Sequence, residues 1–194
     1  MNSIYLFLLL SFVTPNEALK FNFINKQEFD TSCGFSAVSS ILNVYYDIDV
    51  TEKMIISNYF ITNILTNNFT NIYTSSLLDL SSILTSYGIE NKSFKMTFEQ
   101  LNKALVKYSP VLVHMTKPQT HFLLVLDCYA DNVIIADPAR GLKLIQKNDF
   151  IDKWSGVVLL TASKERILNK VRLNKAVTRL KQKQRFMERL ACLN

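Results

Sequence analysis

The stretch from Gln27 to Gly34 reads QEFDTSCG and places Cys33 directly ahead of a run with helical spacing, AVSSILNVYY. A thiol at a helix N-terminus feels the positive end of the helix dipole, which lowers its pKa and raises the thiolate fraction near neutral pH. A thiolate is a nucleophile for carbonyl carbon. Gln27 lies upstream on the incoming loop. Its side-chain amide can donate to the oxyanion that such an attack creates, with the Cys33 backbone N–H as second donor. Gly34 lets backbone and substrate approach closely. The attack also needs a base. Of the two histidines, His121 opens a strand-like run, and Asp137 closes the next one. Ala130-Asp131-Asn132 between them reads as a hairpin turn, and a hairpin returns its second strand to the start of its first. His121 and Asp137 are therefore expected at one end of a sheet, where the carboxylate would fix the imidazole tautomer. Pro138 favours extended backbone at Asp137. Each residue alone has a plainer reading: Cys33 as an inert buried residue, His121 as a structural strand histidine, Asp137 as a turn initiator.

The elements that must position these residues follow from pattern. Ser32 is placed to cap the first helix, which has Ala37, Ile41, Val44 and Tyr45 on one face. Thr51 and Glu52 open a second short helix, whereas residues 57–73, rich in Asn and Thr, carry no decisive period. Thr74 and Ser75 are expected to begin a third helix. In it Leu77, Leu80, Ser81 and Leu84 keep helical spacing, and Gly88 stands where a C-terminal cap would. Thr97 and Gln100 make a capping box ahead of a helix over 98–107. After Ser109 the character changes to short β-rich runs at 110–115, 121–129, 132–137, 142–145 and 157–161, with a short helical stretch at 149–154. Helices first and strands second predicts an α+β fold with a mainly antiparallel sheet.

Gln27, Cys33-Gly34, the PVLVH strand, His121-Phe122 and Asp137-Pro138-Ala139-Arg140-Gly141 occur in the order seen in the bacteriocin-processing cysteine peptidases. Those enzymes cleave leader peptides after a double glycine. The chain resembles that family over residues 22–162, including Phe150 and Trp154-Ser155-Gly156 downstream. The resemblance implies a papain-like fold, with a helical lobe bearing the cysteine and a sheet lobe bearing His and Asp. By position, Cys33 resembles the nucleophile, His121 the general base and acid, Asp137 the orienting carboxylate and Gln27 the oxyanion donor. His114 matches a non-catalytic histidine of the preceding strand. The implied substrate is a peptide or precursor protein, and no cofactor is implied. The same acyl-enzyme passed to an amine instead of water would make a transpeptidase, and the fold without catalysis would make a peptide-binding module. In the best-known members this peptidase precedes an ABC exporter. Here no GxxxxGK[ST] loop occurs, so ATP is not an expected partner.

Composition bounds the rest. The 194 residues are 48% hydrophobic with four Gly and four Pro, which excludes pervasive disorder and low-complexity classes. Three Cys are too few for a disulfide scaffold. Cys128 reads as a buried small hydrophobe that an oxidising compartment would allow to pair with Cys192. Two His and no CxxC give no recognisable zinc set. Residues 4–13, IYLFLLLSFV, are too short to span a bilayer and suit a signal-peptide core. The expected organisation is a signal peptide over 1–18, a peptidase domain over 19–163 and a basic C-terminal helix over 164–194, in an exported, periplasmic or secreted protein that is a freestanding member of its group. The net charge of +6 is concentrated in that last segment. The candidate partners of the segment are an acidic protein or a membrane surface; its only aromatic, Phe186, offers no stacking platform for nucleic acid.

Overall fold

The computed structural model describes residues 20–66 and 75–161, together with Thr178, Lys181 and Gln182. Three helices come first: α1 (Cys33–Ser40), α2 (Glu52–Leu65) and α3 (Leu77–Ser86). Then follow β1 (Asn91–Lys95), α4 (Phe98–Tyr108), β2 (Val111–Met115), β3 (His121–Tyr129), β4 (Asn132–Asp137), β5 (Gly141–Gln146), α5 (Lys147–Lys153) and β6 (Trp154–Thr161). The strands form one sheet in the order β1-β6-β2-β3-β4-β5, with every neighbouring pair antiparallel. The α+β expectation holds, with two changes. Residues 57–65 continue α2, and the polar run NKSFK forms β1 at the sheet edge. An edge strand pairs on one side only and leaves most of its side chains in solvent, so it carries no hydrophobic signal for a sequence pattern to detect.

The central strands are buried on both faces. Leu112, Phe122, Leu124, Leu126, Ile134, Ala136 and Leu159 pack with α1–α3. Val111, Val113, Leu123, Val125, Val133, Ile135 and Val158 pack with Leu101 and Leu105 of α4 and Phe150 of α5. Two apolar faces explain why these strands read as nearly continuous hydrophobic runs rather than alternating ones.

Capping explains the helix ends. The α4 box is present as expected: the Thr97 N–H donates to Gln100 Oε1 at 2.8 Å and the Gln100 N–H to Thr97 Oγ1 at 3.3 Å. The α3 box is Ser76 with Asp79, one residue beyond the expected Ser75, while Thr74 lies outside the described residues. Past α3, the Gly88 N–H reaches the Thr85 carbonyl and the Ile89 N–H the Leu84 carbonyl, with Gly88 at φ +77°. That is a Schellman ending, which glycine permits without steric cost. Ser32 departs from its expected role. Its hydroxyl donates to the Phe29 carbonyl at 2.8 Å and caps no amide of α1. The first helix also widens into a π-helical turn over Ile41–Tyr45, beside which Asn43 bonds both backbone groups of Val50 at 2.8 Å.

The chain ahead of α1 is clasped by that helix. Ser36 Oγ donates to the Asn25 carbonyl, the Asn25 N–H donates to Ser40 Oγ, and the Asn25 amide donates to Ser39 Oγ. The Tyr45 hydroxyl donates to the Phe23 carbonyl. At the other end of the chain, Lys181 Nζ lies 2.8 Å from Asp127 Oδ2 and 5.1 Å from the centroid of the Tyr129 ring, on β3. The expected export signal, the rest of the C-terminal helix and Cys192 lie outside the described residues.

Two glycines separate backbone strain from crowding. Both Gly88 and Gly141 have φ near +75°, but a Cβ at Gly88 meets nothing within 4 Å, whereas one at Gly141 would sit 2.7 Å from the Lys20 carbonyl oxygen. Gly88→Ala should cost about 1 kcal/mol from the left-handed backbone alone. Gly141→Ala should cost at least ~2 kcal/mol, because backbone must also move. Urea denaturation of the two variants checks the order.

Candidate active site

Cys33 is the first residue of α1, so its sulfur sits where the unpaired amides of the helix start converge. α1 packs on β3 within one apolar cluster that includes Phe35 and Val38 of the helix and Phe122 and Leu124 of the strand, and the helix start lies at the sheet end that bears His121. His121 is the first residue of β3 and Asp137 the last of β4. The hairpin closes through Ala130 and Asp131, with Tyr129 already paired to Asn132, a turn one residue shorter than the sequence suggests. The result places both residues at the same end of the sheet.

His121 Nε2 lies 2.9 Å from Asp137 Oδ1. The other ring nitrogen, Nδ1, is left free of Asp137, and Cys33 is among the groups that raise the His121 pKa. Asp137 Oδ1 also accepts the Ala139 N–H at 2.8 Å, closing an Asx-turn. The two readings of Asp137 therefore hold together: one oxygen both starts the turn and receives the imidazole. The Asp137 side chain is 9% exposed and that of His121 25%, so the pair meets the solvent through the imidazole edge. On the other side of the sulfur, the Phe122 N–H approaches Cys33 Sγ at 3.5 Å. Nothing in the sequence marks that donor; it follows from the placement of the neighbouring His121.

The electrostatics follow from these contacts. Burial alone would push the Cys33 thiol up, but hydrogen bonds from His121 and the Phe122 amide, the imidazole charge and the Gly34 amide together hold it below the usual thiol range. Burial alone would lower His121. Its bonds to Asp137 and Cys33, and their charges, win instead and raise it to about 9. Asp137 is burdened by burial yet held low by His121, the Ala139 amide and Arg140. All three shifts favour a thiolate–imidazolium pair backed by a carboxylate at neutral pH. Cys128 is the opposite case. Burial and the neighbouring Asp127 push that thiol up to about 12, which keeps it protonated. Both thiols are free.

Gln27 is tied in on two sides. Its N–H donates to the Pro138 carbonyl at 3.0 Å, directly after Asp137. Its side-chain Nε2 donates to the Phe29 carbonyl at 2.9 Å and approaches the Asp30 carbonyl at 3.4 Å, while Oε1 is buried without a partner. One amide hydrogen is thus committed and the other only weakly held. His114, on β2, stacks 5.1 Å from the Phe122 ring, and burial lowers its pKa. Among the described contacts it bonds to none of the other four residues.

A sequence model described as the Peptidase C39 family matches residues 21–166. The chain is 29% identical over 137 residues to a probable functional amyloid protease, FapD, of Pseudomonas fluorescens, an alignment covering 69% of this chain and 57% of that protein. It is 24% identical over 137 residues to the corresponding protein of Pseudomonas aeruginosa, covering the same shares. The chain therefore spans little more than half the length of these relatives. Among solved structures, the peptidase domain of Streptococcus ComA, a bifunctional ABC transporter involved in quorum sensing, superposes with a TM-score of 0.61 at 19% identity, covering 74% of this chain and 99% of that one. A double-glycine-motif protease from an AMS/PCAT transporter, solved with its leader peptide, superposes with a TM-score of 0.58 at 20% identity, covering 73% and 91%. These likenesses establish the papain-like fold.

The contrast between the two thiols is measurable. Iodoacetamide at pH 7 should alkylate Cys33 at least ~100-fold faster than Cys128, because rate follows thiolate fraction and access. Mass mapping after limiting alkylation checks it, and equal labelling would contradict the proposed activation of Cys33.

Proposed function

The chain belongs to the Peptidase C39 family, and on that premise we propose that it is a cysteine endopeptidase that cleaves a precursor peptide after Gly-Gly, with Cys33 as nucleophile. The observation that carries this reading is the meeting of three side chains at one sheet end: His121 Nε2 lies 2.9 Å from the Asp137 carboxylate, and the Cys33 sulfur lies 3.5 Å from the backbone nitrogen of the next residue, Phe122. The Gly-Gly preference is drawn from the double-glycine-motif protease that shares the fold.

The thiolate adds to the scissile carbonyl carbon and pushes the π electrons onto oxygen. The Cys33 N–H and the weakly held hydrogen of Gln27 Nε2 receive that oxyanion, a donor of this kind being worth ~3 kcal/mol. The His121 imidazolium protonates the leaving amine as the C–N bond breaks, which leaves a thioester and a neutral imidazole. That imidazole then takes a proton from water, and the hydroxide adds to the thioester. Collapse of the second tetrahedral intermediate expels the Cys33 thiolate and releases the acid. Asp137 keeps Nε2 bonded throughout, so that Nδ1 faces the sulfur in both half-reactions.

Cys33→Ala should abolish cleavage of a Gly-Gly precursor peptide, read by product mass spectrometry. Gln27→Ala should lower kcat about 10²- to 10³-fold, with a smaller change in KM. The pH profile of kcat/KM should rise with formation of the Cys33 thiolate and fall again near pH 9, as His121 loses the proton needed by the leaving amine. Asp137→Asn removes the bond and charge that raise His121 and leaves the burial that lowers it, so the alkaline limb should move to lower pH. An alkaline limb unmoved in that variant would remove Asp137 from the relay.

A further inference from the structure

Glu52 is a carboxylate only 4% exposed, the first residue of α2. Its two oxygens accept one backbone amide, the Glu28 N–H, at 3.1 Å and 3.4 Å. Across the loop, the Ser32 hydroxyl accepts the Phe29 N–H at 3.2 Å and donates to the Phe29 carbonyl at 2.8 Å, so the residues after Glu28 are tied back to the start of α1. Residue 28 directly follows Gln27, and Ser32 directly precedes Cys33. One buried carboxylate on α2 therefore grips the start of the loop that joins the candidate oxyanion donor to the candidate nucleophile, directly after Gln27. The Glu28 side chain pairs with Lys53 at 2.7 Å, but that bridge is well exposed, and exposed pairs contribute little.

A carboxylate out of water is costly unless its oxygens are hydrogen-bonded. Burial indeed pushes the Glu52 carboxyl above the usual carboxylate range, against the bond from the Glu28 amide. What the burial provides is a fixed Glu28 amide. On the other side of Gln27, its own N–H is fixed by the Pro138 carbonyl. The backbone that carries the Gln27 side chain is thus pinned by one bond to the sheet lobe and, at the next residue, by Glu52 to the helical lobe.

We propose that Glu52 is a positioning residue for the oxyanion donor, holding the loop at Glu28 so that the Gln27 amide meets the developing charge; this rests on the peptidase reading above. The site has two separable parts. The thiolate depends on His121, Phe122 and Gly34, none of which Glu52 touches. The oxyanion pocket depends on the loop, which Glu52 holds. Loss of Glu52 should therefore spare one and damage the other.

Two electrophiles separate them in the full-length protein. Iodoacetamide alkylates sulfur by displacement and forms no oxyanion. A peptide aldehyde ending in Gly-Gly adds the sulfur to its carbonyl carbon, placing the oxygen in the pocket, and its affinity is read from protection of Cys33 against iodoacetamide. Glu52→Ala should keep the alkylation rate and its pH profile within about twofold while weakening aldehyde protection by about tenfold or more, a fraction of what loss of a whole donor costs. Glu52→Gln keeps a carbonyl oxygen for the Glu28 amide and should fall between. If Glu52→Ala lacks a cooperative thermal transition, Glu52→Gln decides alone, with several-fold weaker protection and unchanged alkylation expected. Aldehyde protection equal to wild type in the folded variants overturns the assignment, as does a parallel loss of alkylation and protection, which would make Glu52 merely structural. A wild-type Cys33 that is neither alkylated ahead of Cys128 nor protected by the aldehyde removes the peptidase reading itself.

Discussion

The imidazole of His121 is the point at which the two halves of the molecule meet chemically. Its Nε2 is held by a carboxylate on the same hairpin, and its pKa is raised further by Cys33, on a helix that precedes it by 88 positions. Neither half could produce the ion pair alone. A helix start lowers a thiol only modestly, and a buried histidine with no acceptor drifts downward rather than upward. His114 is lowered by burial in this way, whereas His121 is raised. The demand on the fold is thus a matter of placement. α1 must lie on the sheet so that its first residue, not its middle, meets the strand end. The apolar cluster that α1 and β3 share meets that demand, as does the bond from the Gln27 N–H to the Pro138 carbonyl.

The same physics explains why two cysteines of one chain differ. Cys33 and Cys128 are both partly buried and both unpaired. One faces an imidazole and backbone donors; the other faces Asp127. Burial raises both, and only the sign of the neighbouring field separates the lowered thiol from the raised one. The serines of α1 show how the helix start is kept in place. Ser36, Ser39 and Ser40 turn a polar stripe toward the Asn25 backbone and side chain, so that the incoming chain is bonded along the helix rather than left as a free loop.

The parts of the site that depend on chain order and turn chemistry were legible in the sequence. The Cys33 helix start, the hairpin that returns Asp137 toward His121, and the Thr97–Gln100 cap are local signals with few alternatives. The missing parts depend on which of several polar groups a side chain chooses. Ser32 looks like a cap, yet it bonds the loop before it. Gln27 looks like a free donor, yet it shares its amide with the Phe29 carbonyl. Glu52 looks like an ordinary acidic residue in a first helical turn, and only the approach of the loop buries it. The helix over 57–65 was hidden by β-branched and Asn-rich composition, a weak prior that packing overrides. β1 was hidden because an edge strand does not need apolar residues.

Strands β3 and β4 also act as a ruler. His121 and Asp137 lie at their open end, while Asp127, Tyr129 and the Ala130–Asp131 bend lie at the closed end, roughly 20 Å away at ~3.3 Å per residue. Lys181 touches down at that closed end. The Lys181 contact is therefore separated from the His121–Asp137 pair by the length of a stiff, doubly packed ribbon.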